Sequence, residues 1–332
     1  MIKRILIVRP DKIGDLILTL PMATVIKQFL PDAHITFLVR DYTAPLVSLA
    51  TDVDETVIYD PEWSFWKTVS FLRSTRSDAA FFLGSKFKLT VAAFFARIPI
   101  RVGRASWWYS FLFNRRVYEH RKTAEFNEAE YNVRMLKTIG MNSQTTPLPN
   151  LELSELPDIV LPFTKYFVFH VTTGGSTLPW NEEHFIGIAQ AMGQISSNAI
   201  VLTGIPADNE FLFRIAERMK QYSPDVHILT TDTLPELARV LTNAQLVIAS
   251  GTGPGHLAAA LGTPTIGLFP LVKTLSKERW GFRGKKVVNL SPIVRPKPEC
   301  PMCSDCICVN EITVSQVMGG IKTLKSDARN AT

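Results

Sequence analysis

Short apolar runs alternate with amphipathic stretches along the whole chain, and this alternation most limits the folds that the chain can adopt. The runs are residues 5–8, 35–39, 57–59, 79–83 and 100–103 in the first half, and residues 166–171, 199–203, 226–229, 246–249 and 265–268 in the second. Between them, apolar residues recur at helical spacing. Strands that alternate with helices form parallel sheets. We therefore predict an α/β fold with two Rossmann-like, doubly wound domains.

The boundary between the two domains is predicted within residues 142–162. This stretch has four prolines, many polar residues and little periodicity, which is typical of a linker. We assign residues 1–155 to the first domain and residues 156–332 to the second. Ligands of doubly wound sheets bind at the carboxyl ends of the strands. We therefore expect the two domains to face each other across a central cleft.

The composition points to an ordinary globular protein without a membrane span. No apolar run reaches the ~18 residues that a transmembrane helix needs. The N-terminal MIKRILIVRP has no long apolar core and no small-residue cleavage site, so it indicates a first strand and not a signal peptide. All four cysteines lie within residues 300–308, which excludes disulfides spread over the fold. A cytoplasmic location is the expectation that follows.

The whole chain has a net charge of +6, and its basic residues are concentrated in one segment. Nine of them lie between positions 86 and 122, where Glu119 is the one acidic residue. The nine are Lys86, Lys88, Arg97, Arg101, Arg104, Arg115, Arg116, Arg121 and Lys122. Such a patch indicates an anionic partner, which could be a phosphorylated substrate, a membrane surface or nucleic acid. A solvated basic face without a partner is the alternative.

The stretch ASGTGPGHLAAALGTP at residues 249–264 has the pattern of an anion site. An apolar strand at 246–249 leads through the small residues 250–255 into a short apolar helix at 256–261, which Gly262 and Pro264 end. Unpaired N–H groups and the helix dipole would both point at the start of this helix. Glycine there would let a phosphate approach the backbone. A tight turn without a ligand is the alternative, and the residues alone leave both open.

Several motifs, taken together and in order, resemble one known family. They are ILIVRPDKIGDLILTLP followed by PDAHITFLV, then TTGGS before WNEEHF, TGIPADNE, SGTGPGHLAAALGTP and EITVSQV. The sequence resembles glycosyltransferase family 9, the bacterial lipopolysaccharide heptosyltransferases, over essentially its whole length. The resemblance implies a GT-B fold in which the first domain binds the acceptor and the second binds a nucleotide-sugar. The C-terminal helix corresponds to the closing helix of the family. Whether it packs against the first domain or against the second is left open.

The resemblance also implies the reaction. It is an inverting, metal-independent transfer of a heptose or related sugar from a nucleotide-sugar, with ADP-heptose as the expected donor. The acceptor would be an anionic, lipid-linked saccharide of the lipopolysaccharide core, so peripheral contact with the cytoplasmic face of the inner membrane is expected. We expect no cofactor, no metal and no nucleic-acid partner. The aromatic residues of 107–113 beside the basic patch fit such a membrane contact, although a place in the core is the more common role for such a run.

In the first domain the resemblance makes Asp15 the general base that takes the proton of the acceptor hydroxyl. An aspartate that caps a helix or lies in its first turn is the alternative from the residues alone. Gly14 is expected to supply the turn. The candidate acceptor-binding residues are Arg9, Lys12, Gly14, Lys86 and Arg104, with Lys88 as a weaker member.

In the second domain two loops are predicted to bind the donor diphosphate, whose charge grows in the transition state. The candidate donor-binding residues are Thr172, Thr173, Gly174, Ser176, Thr177, Glu210, Thr252, Gly253, Gly255 and His256. Glu210 would bind ribose hydroxyls. Two ordinary loops, a structural histidine and a solvated helix-start glutamate are the corresponding alternatives.

Two positions depart from the family pattern. Leu178 stands where a lysine is common two residues before Trp180, and Gly251 stands where an acidic residue is common before the Thr-Gly pair. The departures keep open a second function, a sugar-nucleotide-binding pseudoenzyme or scaffold. A nicotinamide-dependent oxidoreductase ranks last, because no G-x-G-x-x-G with an acid ~20 residues later follows the first strand.

Two further motifs could suggest metals. Asp52 and Asp54 spell D-x-D, but they lie among turn residues in the first domain, so we assign them to turn chemistry. Cysteines 300, 303, 306 and 308 have C-x2-C-x2-C-x-C spacing, which zinc or an iron–sulfur cluster could use. The spacing is shorter than in a zinc ribbon. Reduced structural thiols, or an adventitious disulfide, are therefore preferred over a metal site for Cys300, Cys303, Cys306 and Cys308.

Overall fold

The fold is taken from a computed structural model that describes residues 2–84, 86–294 and 308–330, with side chains up to residue 326. The chain divides into two compact units. Unit 1 comprises the residues up to Arg121 together with Glu128–Glu155. Unit 2 comprises Lys122–Asn127 and the residues from Leu156 onward. Residues 122–127, which the sequence assigned to the first domain, thus group with unit 2.

Unit 1 contains a six-stranded parallel sheet in the order β3-β2-β1-β4-β5-β6. The strands are β1 (Arg4–Val8), β2 (His34–Val39), β3 (Glu55–Ile58), β4 (Ala79–Phe82), β5 (Ile100–Arg104) and β6 (Arg115–Val117). β1 is central, because Ile5 pairs with Ile35 on one side and with Ala79 on the other. Central strands of a parallel sheet are buried on both faces, which is why they are continuous apolar runs in the sequence.

The helices of unit 1 connect these strands. They are α1 (Ile13–Ile17), α2 (Pro21–Phe29), α3 (Ala44–Val47), α4 (Phe65–Ser74), α5 (Phe87–Phe95) and α6 (Glu128–Arg134). A core cluster under α4 and α5 includes Leu6, Phe82, Leu89 and Phe113. Tyr109 and Leu112 also belong to it, so much of the aromatic stretch 107–113 is core.

Unit 2 repeats the same architecture with the strand order β12-β11-β10-β7-β8-β9, again all parallel. The strands are β7 (Tyr166–His170), β8 (Ala199–Gly204), β9 (Val226–Thr230), β10 (Leu246–Ser250), β11 (Thr265–Leu268) and β12 (Val287–Leu290). The helices are α7 (Glu182–Gly193), α8 (Asn209–Met219), α9 (Leu234–Asn243), α10 (Gly253–Ala260), α11 (Lys277–Trp280) and α12 (Val314–Asn330). The C-terminal helix α12 packs against α7, β11 and β12 of its own unit.

Each sheet has one point at which the strand order reverses, and such points are where doubly wound folds bind ligands. In unit 1 the reversal lies between β1 and β4, and in unit 2 between β7 and β10. The loops that follow these four strands therefore define the candidate site of each unit.

Two predicted helix boundaries were wrong, and two short edge strands, β6 and β12, were missed. The apolar residues from Leu16 to Phe29 have the spacing of one helix, but they form two, because Pro21 has no N–H to continue α1 and instead starts α2. The helix at the anion-site motif begins at Gly253 and not at residue 256, with Pro254 in its first turn. The short strand β6 was missed because Arg115 and Arg116 are exposed on a sheet edge.

No helix in the described part of the chain combines the length and apolarity required to cross a membrane.

Candidate active site

The site of unit 1 is built around an ion pair at the end of β1. The buried Arg9 donates a hydrogen bond from a terminal nitrogen to Asp15 Oδ1. Its Nε atom also lies 3.6 Å from Asp11 Oδ2. Asp15 is the third residue of α1, and Lys12 occupies the N-cap position. The N-cap alternative for Asp15 is therefore wrong, although the residue does lie in a first helical turn.

A lysine from the neighbouring strand's loop joins this ion pair. Lys86 Nζ lies 3.2 Å from Asp11 Oδ1. A Cβ at Gly84 would lie 2.8 Å from the Asp11 carboxyl carbon, so the absence of a side chain two residues after β4 leaves the space that this carboxylate occupies. Neither Asp11 nor Gly84 was a candidate from the sequence. The glycine directly after a predicted buried strand was the signal that could have found them.

The remaining acceptor candidates lie on the same edge of the sheet. Arg104 is the last residue of β5, and its guanidinium carbon is 5.7 Å from the centre of the Trp107 ring. Arg9 and Lys86 follow β1 and β4, and Arg104 ends β5, the strand next to β4. Gly14 does not form a turn as expected, because it is a buried residue within α1. The structure therefore brings three of the predicted cations to one sheet edge.

A second, buried ion pair, Arg121–Glu128, lies beside the Arg9–Asp15 pair. Arg121 donates from one terminal nitrogen to Glu128 Oε1 and, at 2.9 Å, to Asn132 Oδ1. Burial lowers the pKa of Arg121, and the Glu128 carboxylate opposes this by favouring the charged form. The same Glu128 oxygen lies 3.9 Å from Arg9. Glu128 therefore has one arginine on either side, and one of these is the partner of Asp15.

The backbone of Asp15 is held through the same cluster. Asn132 donates from Nδ2 to Leu18 O at 3.0 Å and to Thr19 Oγ1 at 3.2 Å. Thr19 in turn donates from Oγ1 to Asp15 O at 2.7 Å. Both the carboxylate and the carbonyl of Asp15 are thus fixed by protein groups. Glu128, Asn132 and Thr19 were missed by the sequence analysis, and nothing in their local sequence marks them.

In unit 2 the first candidate loop follows β7. Gly174 and Gly175 have φ values of +50° and +69°, a left-handed conformation that favours glycine. Ser176 N donates to Thr173 O at 2.9 Å and closes the turn. The buried Thr177 Oγ1 has no hydrogen-bond partner among the described residues. Successive N–H groups in such a turn form a concave surface for an anion. Thr172 and Thr173, the other two candidates here, begin the same loop.

A buried histidine lies under this loop at the end of β7. His170 Nδ1 is 3.0 Å from Thr203 Oγ1 at the end of β8. Burial lowers the pKa of His170 to about 4, although the nearby Asp208 acts in the opposite direction. The imidazole is therefore neutral near pH 7. Neither His170 nor Thr203 was a sequence candidate.

The second loop of unit 2 leads from β10 into α10. Thr252 is the N-cap with extended backbone angles, φ −120° and ψ 165°, and its side chain makes no cap hydrogen bond. Its Oγ1 is buried and has no hydrogen-bond partner among the residues that the structure describes. The first N–H groups of an α-helix lack an intrahelical acceptor, and in α10 these include Gly253 and Gly255. The pattern 250–255 therefore does form the helix N-terminus that the sequence indicated.

The glycines of this loop also make room for two aromatic rings. An ideal Cβ on Gly255 would lie 2.6 Å from Phe282 Cε2, and one on Gly251 would lie 2.6 Å from Phe269 Cε1. The two rings pack edge to face at 5.0 Å. Gly251, one of the two departures from the family pattern, is thus required by packing.

The remaining donor candidates differ in their surroundings. His256 is buried, with its ring centre 4.8 Å from that of Phe282, and burial lowers its pKa to about 3. It is neutral near pH 7 and brings no positive charge to a phosphate. Glu210 is exposed in the first turn of α8. Leu178 packs against the core of unit 2, and the buried Trp180 donates from Nε1 to Ile312 O at 3.0 Å.

The two metal-like motifs do not form a described site. Asp52 accepts hydrogen bonds from Thr24 Oγ1 at 2.6 Å and Asn150 Nδ2 at 2.9 Å, and Asp54 accepts from Lys27 Nζ and Ile35 N. Both carboxylates are used within the fold. Cys300, Cys303 and Cys306 lie outside the described residues, whereas Cys308 is buried. Within the described ranges no three His, Cys, Asp or Glu residues are grouped to hold a metal ion.

Comparisons with known proteins identify the family. The model of glycosyltransferase family 9 (heptosyltransferase) matches residues 65–302. The chain is 22% identical over 272 residues to lipopolysaccharide heptosyltransferase 3 of Escherichia coli, covering 77% of this chain and 80% of that protein.

Solved structures agree with the fold. The E. coli ADP-heptose lps heptosyltransferase II has a TM-score of 0.80 at 20% identity and covers 98% of this chain and 99% of its own. The E. coli heptosyltransferase WaaC with ADP has a TM-score of 0.70 at 21% identity, with coverages of 97% and 99%. The predicted GT-B-type α/β fold is confirmed, and the family match over most of the chain confirms the resemblance. The chain therefore belongs to glycosyltransferase family 9, the heptosyltransferase family, and is a glycosyltransferase.

Proposed function

We propose that this protein is an inverting, metal-independent enzyme that moves heptose from ADP-heptose to an anionic saccharide of the lipopolysaccharide core. Relatives named as lipopolysaccharide heptosyltransferases and a structural neighbour with bound ADP support the donor and acceptor classes. The observation that carries the proposal is the doubly held Asp15 at the edge of unit 1, beside Arg9 and next to the loop of Lys86.

In this proposal unit 1 binds the acceptor and supplies the base. The oxygen of the acceptor hydroxyl bonds to the anomeric carbon while the bond from that carbon to the diphosphate oxygen breaks. The hydroxyl proton passes to the Asp15 carboxylate, and ADP leaves. One displacement from the opposite face inverts the anomeric configuration. Arg9 holds the Asp15 side chain and Thr19 holds its backbone. These contacts keep the carboxylate that takes the proton in a fixed position.

Unit 2 supplies the binding site for the donor. The left-handed Gly174–Gly175 turn and the start of α10 both present backbone N–H groups to the diphosphate. These groups stabilise the negative charge that grows on the departing ADP, and they do so without a metal. Leu178 carries no charge, so the backbone carries more of this stabilisation than in relatives with a lysine. We assign Thr252 and Thr177 to the phosphates, Glu210 to the ribose hydroxyls, and His256 to the support of α10.

We further propose that the protein works at the cytoplasmic face of the inner membrane, in peripheral contact with it, and that nucleic acid is not a partner. A lipid-linked acceptor requires such a contact. The cations Arg9, Lys86 and Arg104 on one sheet edge fit the phosphates of that acceptor.

The test is the rate of ADP release from ADP-heptose with a heptose-deficient lipopolysaccharide acceptor. Asp15→Asn is expected to lower kcat by roughly 10²–10⁴-fold, the usual contribution of a general base, while ADP binding stays unchanged. Asp32→Asn, at an exposed loop position of the same unit, is the matched control. A kcat for Asp15→Asn close to that of the control would refute the assignment of the base. Loss of turnover in EDTA that Mg²⁺ restores would refute metal independence.

A second function, a sugar-nucleotide-binding scaffold, is favoured by one observation, the uncharged and packed Leu178 in the donor loop. It predicts that the unmodified protein binds ADP-heptose but releases no ADP with any acceptor. Turnover by the unmodified protein would exclude this scaffold function.

A further inference from the structure

Helix α5 is apolar on both of its faces. Leu89, Ala92 and Ala93 point into the core of unit 1. On the opposite side Phe87, Phe94 and Phe95 are 46%, 47% and 47% exposed. A surface helix normally presents polar residues to water, so an apolar outer face indicates that something covers it.

Two exposed tryptophans extend this surface beyond the helix. The Trp66 ring of α4 lies 6.1 Å from that of Phe95 and is 67% exposed. The Trp108 ring lies 4.8 Å from that of Phe87 and is 75% exposed. We call the five residues Trp66, Phe87, Phe94, Phe95 and Trp108 the α5 aromatic face. It continues to the proposed acceptor site, because α5 follows Lys86 directly and Trp108 lies four residues after Arg104.

The surroundings of the α5 aromatic face are basic. Between residues 63 and 117 every charged side chain except Asp78 is a lysine or an arginine. Asp78 accepts hydrogen bonds from the N–H groups of Lys3 and Arg4. A groove of about 980 Å³ beside Phe94 and Phe95 is lined by Arg73, Arg97 and Arg101. Asp60 and Glu62 lie just before this segment and Glu119 lies just after it. The α5 aromatic face therefore combines exposed rings with surroundings in which positive charge outweighs negative charge.

Two exposed arginines, one in the groove lining and one at the end of α4, occupy strained backbone positions. Arg76 follows the end of α4 with φ +48°, and Arg97 follows the end of α5 with φ +60°. Glycine is the usual residue at this position, because other residues are strained in a left-handed conformation. A cation there interacts favourably with the helix dipole, but only weakly at an exposed position. These two positions therefore combine a strained backbone with a positive charge, and the charge is suited to an anionic surface.

We propose that the α5 aromatic face docks into the interface of an anionic phospholipid bilayer. Tryptophan and phenylalanine rings enter the boundary between headgroups and acyl chains, and exposed arginines beside them, such as Arg97, bind lipid phosphates. The choice of lipid over a protein partner rests on charge complementarity, because the surface offers cations and rings but few other polar side chains. The inference rests on the proposed function in one respect, since that function brings the enzyme to a membrane.

The test is flotation of the full-length protein with phosphatidylglycerol-containing vesicles and with pure phosphatidylcholine vesicles. We expect binding to the anionic vesicles only, and weaker binding at high salt. The double variant Phe94→Ser/Phe95→Ser is expected to lose most of this binding. Phe213→Ser, which removes an exposed phenylalanine of unit 2, is the matched control and should bind like the unmodified protein. Equal binding by Phe94→Ser/Phe95→Ser and the control would overturn the proposal.

A second pair of variants separates docking from folding. Replacing Arg76 and Arg97 by glycine relieves both strained positions, so the melting temperature should rise. Vesicle binding should fall by roughly fivefold per arginine removed. A lower melting temperature with unchanged vesicle binding would assign the arginines to the fold and overturn their membrane role.

Activity distinguishes this proposal from the proposed function. With a water-soluble, lipid-free acceptor, all docking variants should retain the turnover of the unmodified protein. Lost vesicle binding with retained turnover supports docking. Vesicle binding by the unmodified protein without any turnover would refute the proposed function and leave the docking surface in place. Absence of vesicle binding together with concentration-dependent self-association would replace the lipid by a second copy of the chain and overturn the proposal.

Discussion

A single added methyl group at Gly255 should separate the packing role of this glycine from helix propensity. Gly255 is the third residue of α10, and alanine is usually more stable than glycine in a helix by about 1 kcal/mol. The Cβ of alanine would lie 2.6 Å from Phe282 Cε2 and 2.9 Å from Cε1. Carbon atoms normally approach to about 3.5–4.0 Å, so either the ring or the helix must move by roughly 1 Å.

The ring has no room to yield. Phe282 is buried and packs edge to face against His256 at 4.8 Å and against Phe269 at 5.0 Å. On another side, its Cδ2 would lie 2.8 Å from a Cβ on Gly267. Overpacking of such a core costs typically 1–3 kcal/mol. After the gain in helix propensity, a net destabilisation of up to about 2 kcal/mol remains for Gly255→Ala.

The assay is thermal unfolding, with Gly319→Ala as the matched control. Gly319 lies within α12, and a Cβ there would meet nothing within 4 Å. In a unit of this size 1 kcal/mol shifts the melting temperature by roughly 2–4 °C. Gly255→Ala should therefore lower it, Gly319→Ala should raise it, and Phe282→Leu should partly rescue Gly255→Ala. Equal increases for both glycine variants would refute the packing argument.

Two further predictions concern buried ionisable groups. The pKa of unfolded histidine is about 6.5, whereas burial lowers the pKa of His170 to about 4 and that of His256 to about 3. The unfolded chain therefore binds protons that the folded chain does not, so stability is complete above about pH 6.5 and falls with acidification, by about 2 kcal/mol per histidine near pH 5. Urea unfolding at neutral and acidic pH should show this dependence, and it should be smaller in His170→Asn; an unchanged dependence would contradict it. Glu128→Gln leaves the buried Arg121 without its counter-charge, which should cost about 3–5 kcal/mol of unfolding free energy. The control is Glu217→Gln in the exposed Lys220–Glu217 pair, which should cost at most about 1 kcal/mol. If Glu128→Gln and Glu217→Gln lost similar unfolding free energy in urea, the buried charge network would be refuted.

The parts of the fold that the sequence predicted are those with a purely local signal. β1, β4, β7 and β10 are buried on both faces, so each is a continuous apolar run that stands out from its surroundings. β12 was missed because it lies at a sheet edge and is only half-buried. The break between α1 and α2 was missed because the apolar spacing continues through it.

The candidate site likewise contains residues that a local sequence pattern marks and residues that it does not. Arg9, Lys12 and Asp15 lie in one loop and helix start after the first strand, where the rules of doubly wound folds already expect a ligand. The groups that hold Asp15 come from distant sequence, since Asn132 lies 113 positions from Thr19. No local pattern marks Glu128 as the residue between two arginines. Long-range partners of this kind become visible only when the chain has been folded.

The departures at Gly251 and Leu178 have a physical explanation that the sequence could not supply. An acidic side chain at 251 would need the space that the Phe269 ring occupies. Gly251, Gly255 and Gly267 all border the Phe269–Phe282 pair, so an acid at 251 would disrupt a set of residues that pack as one. Leu178 likewise belongs to the packed surroundings of the unit 2 core. An acidic residue at position 251 should therefore be tolerated only if the aromatic pair changes with it.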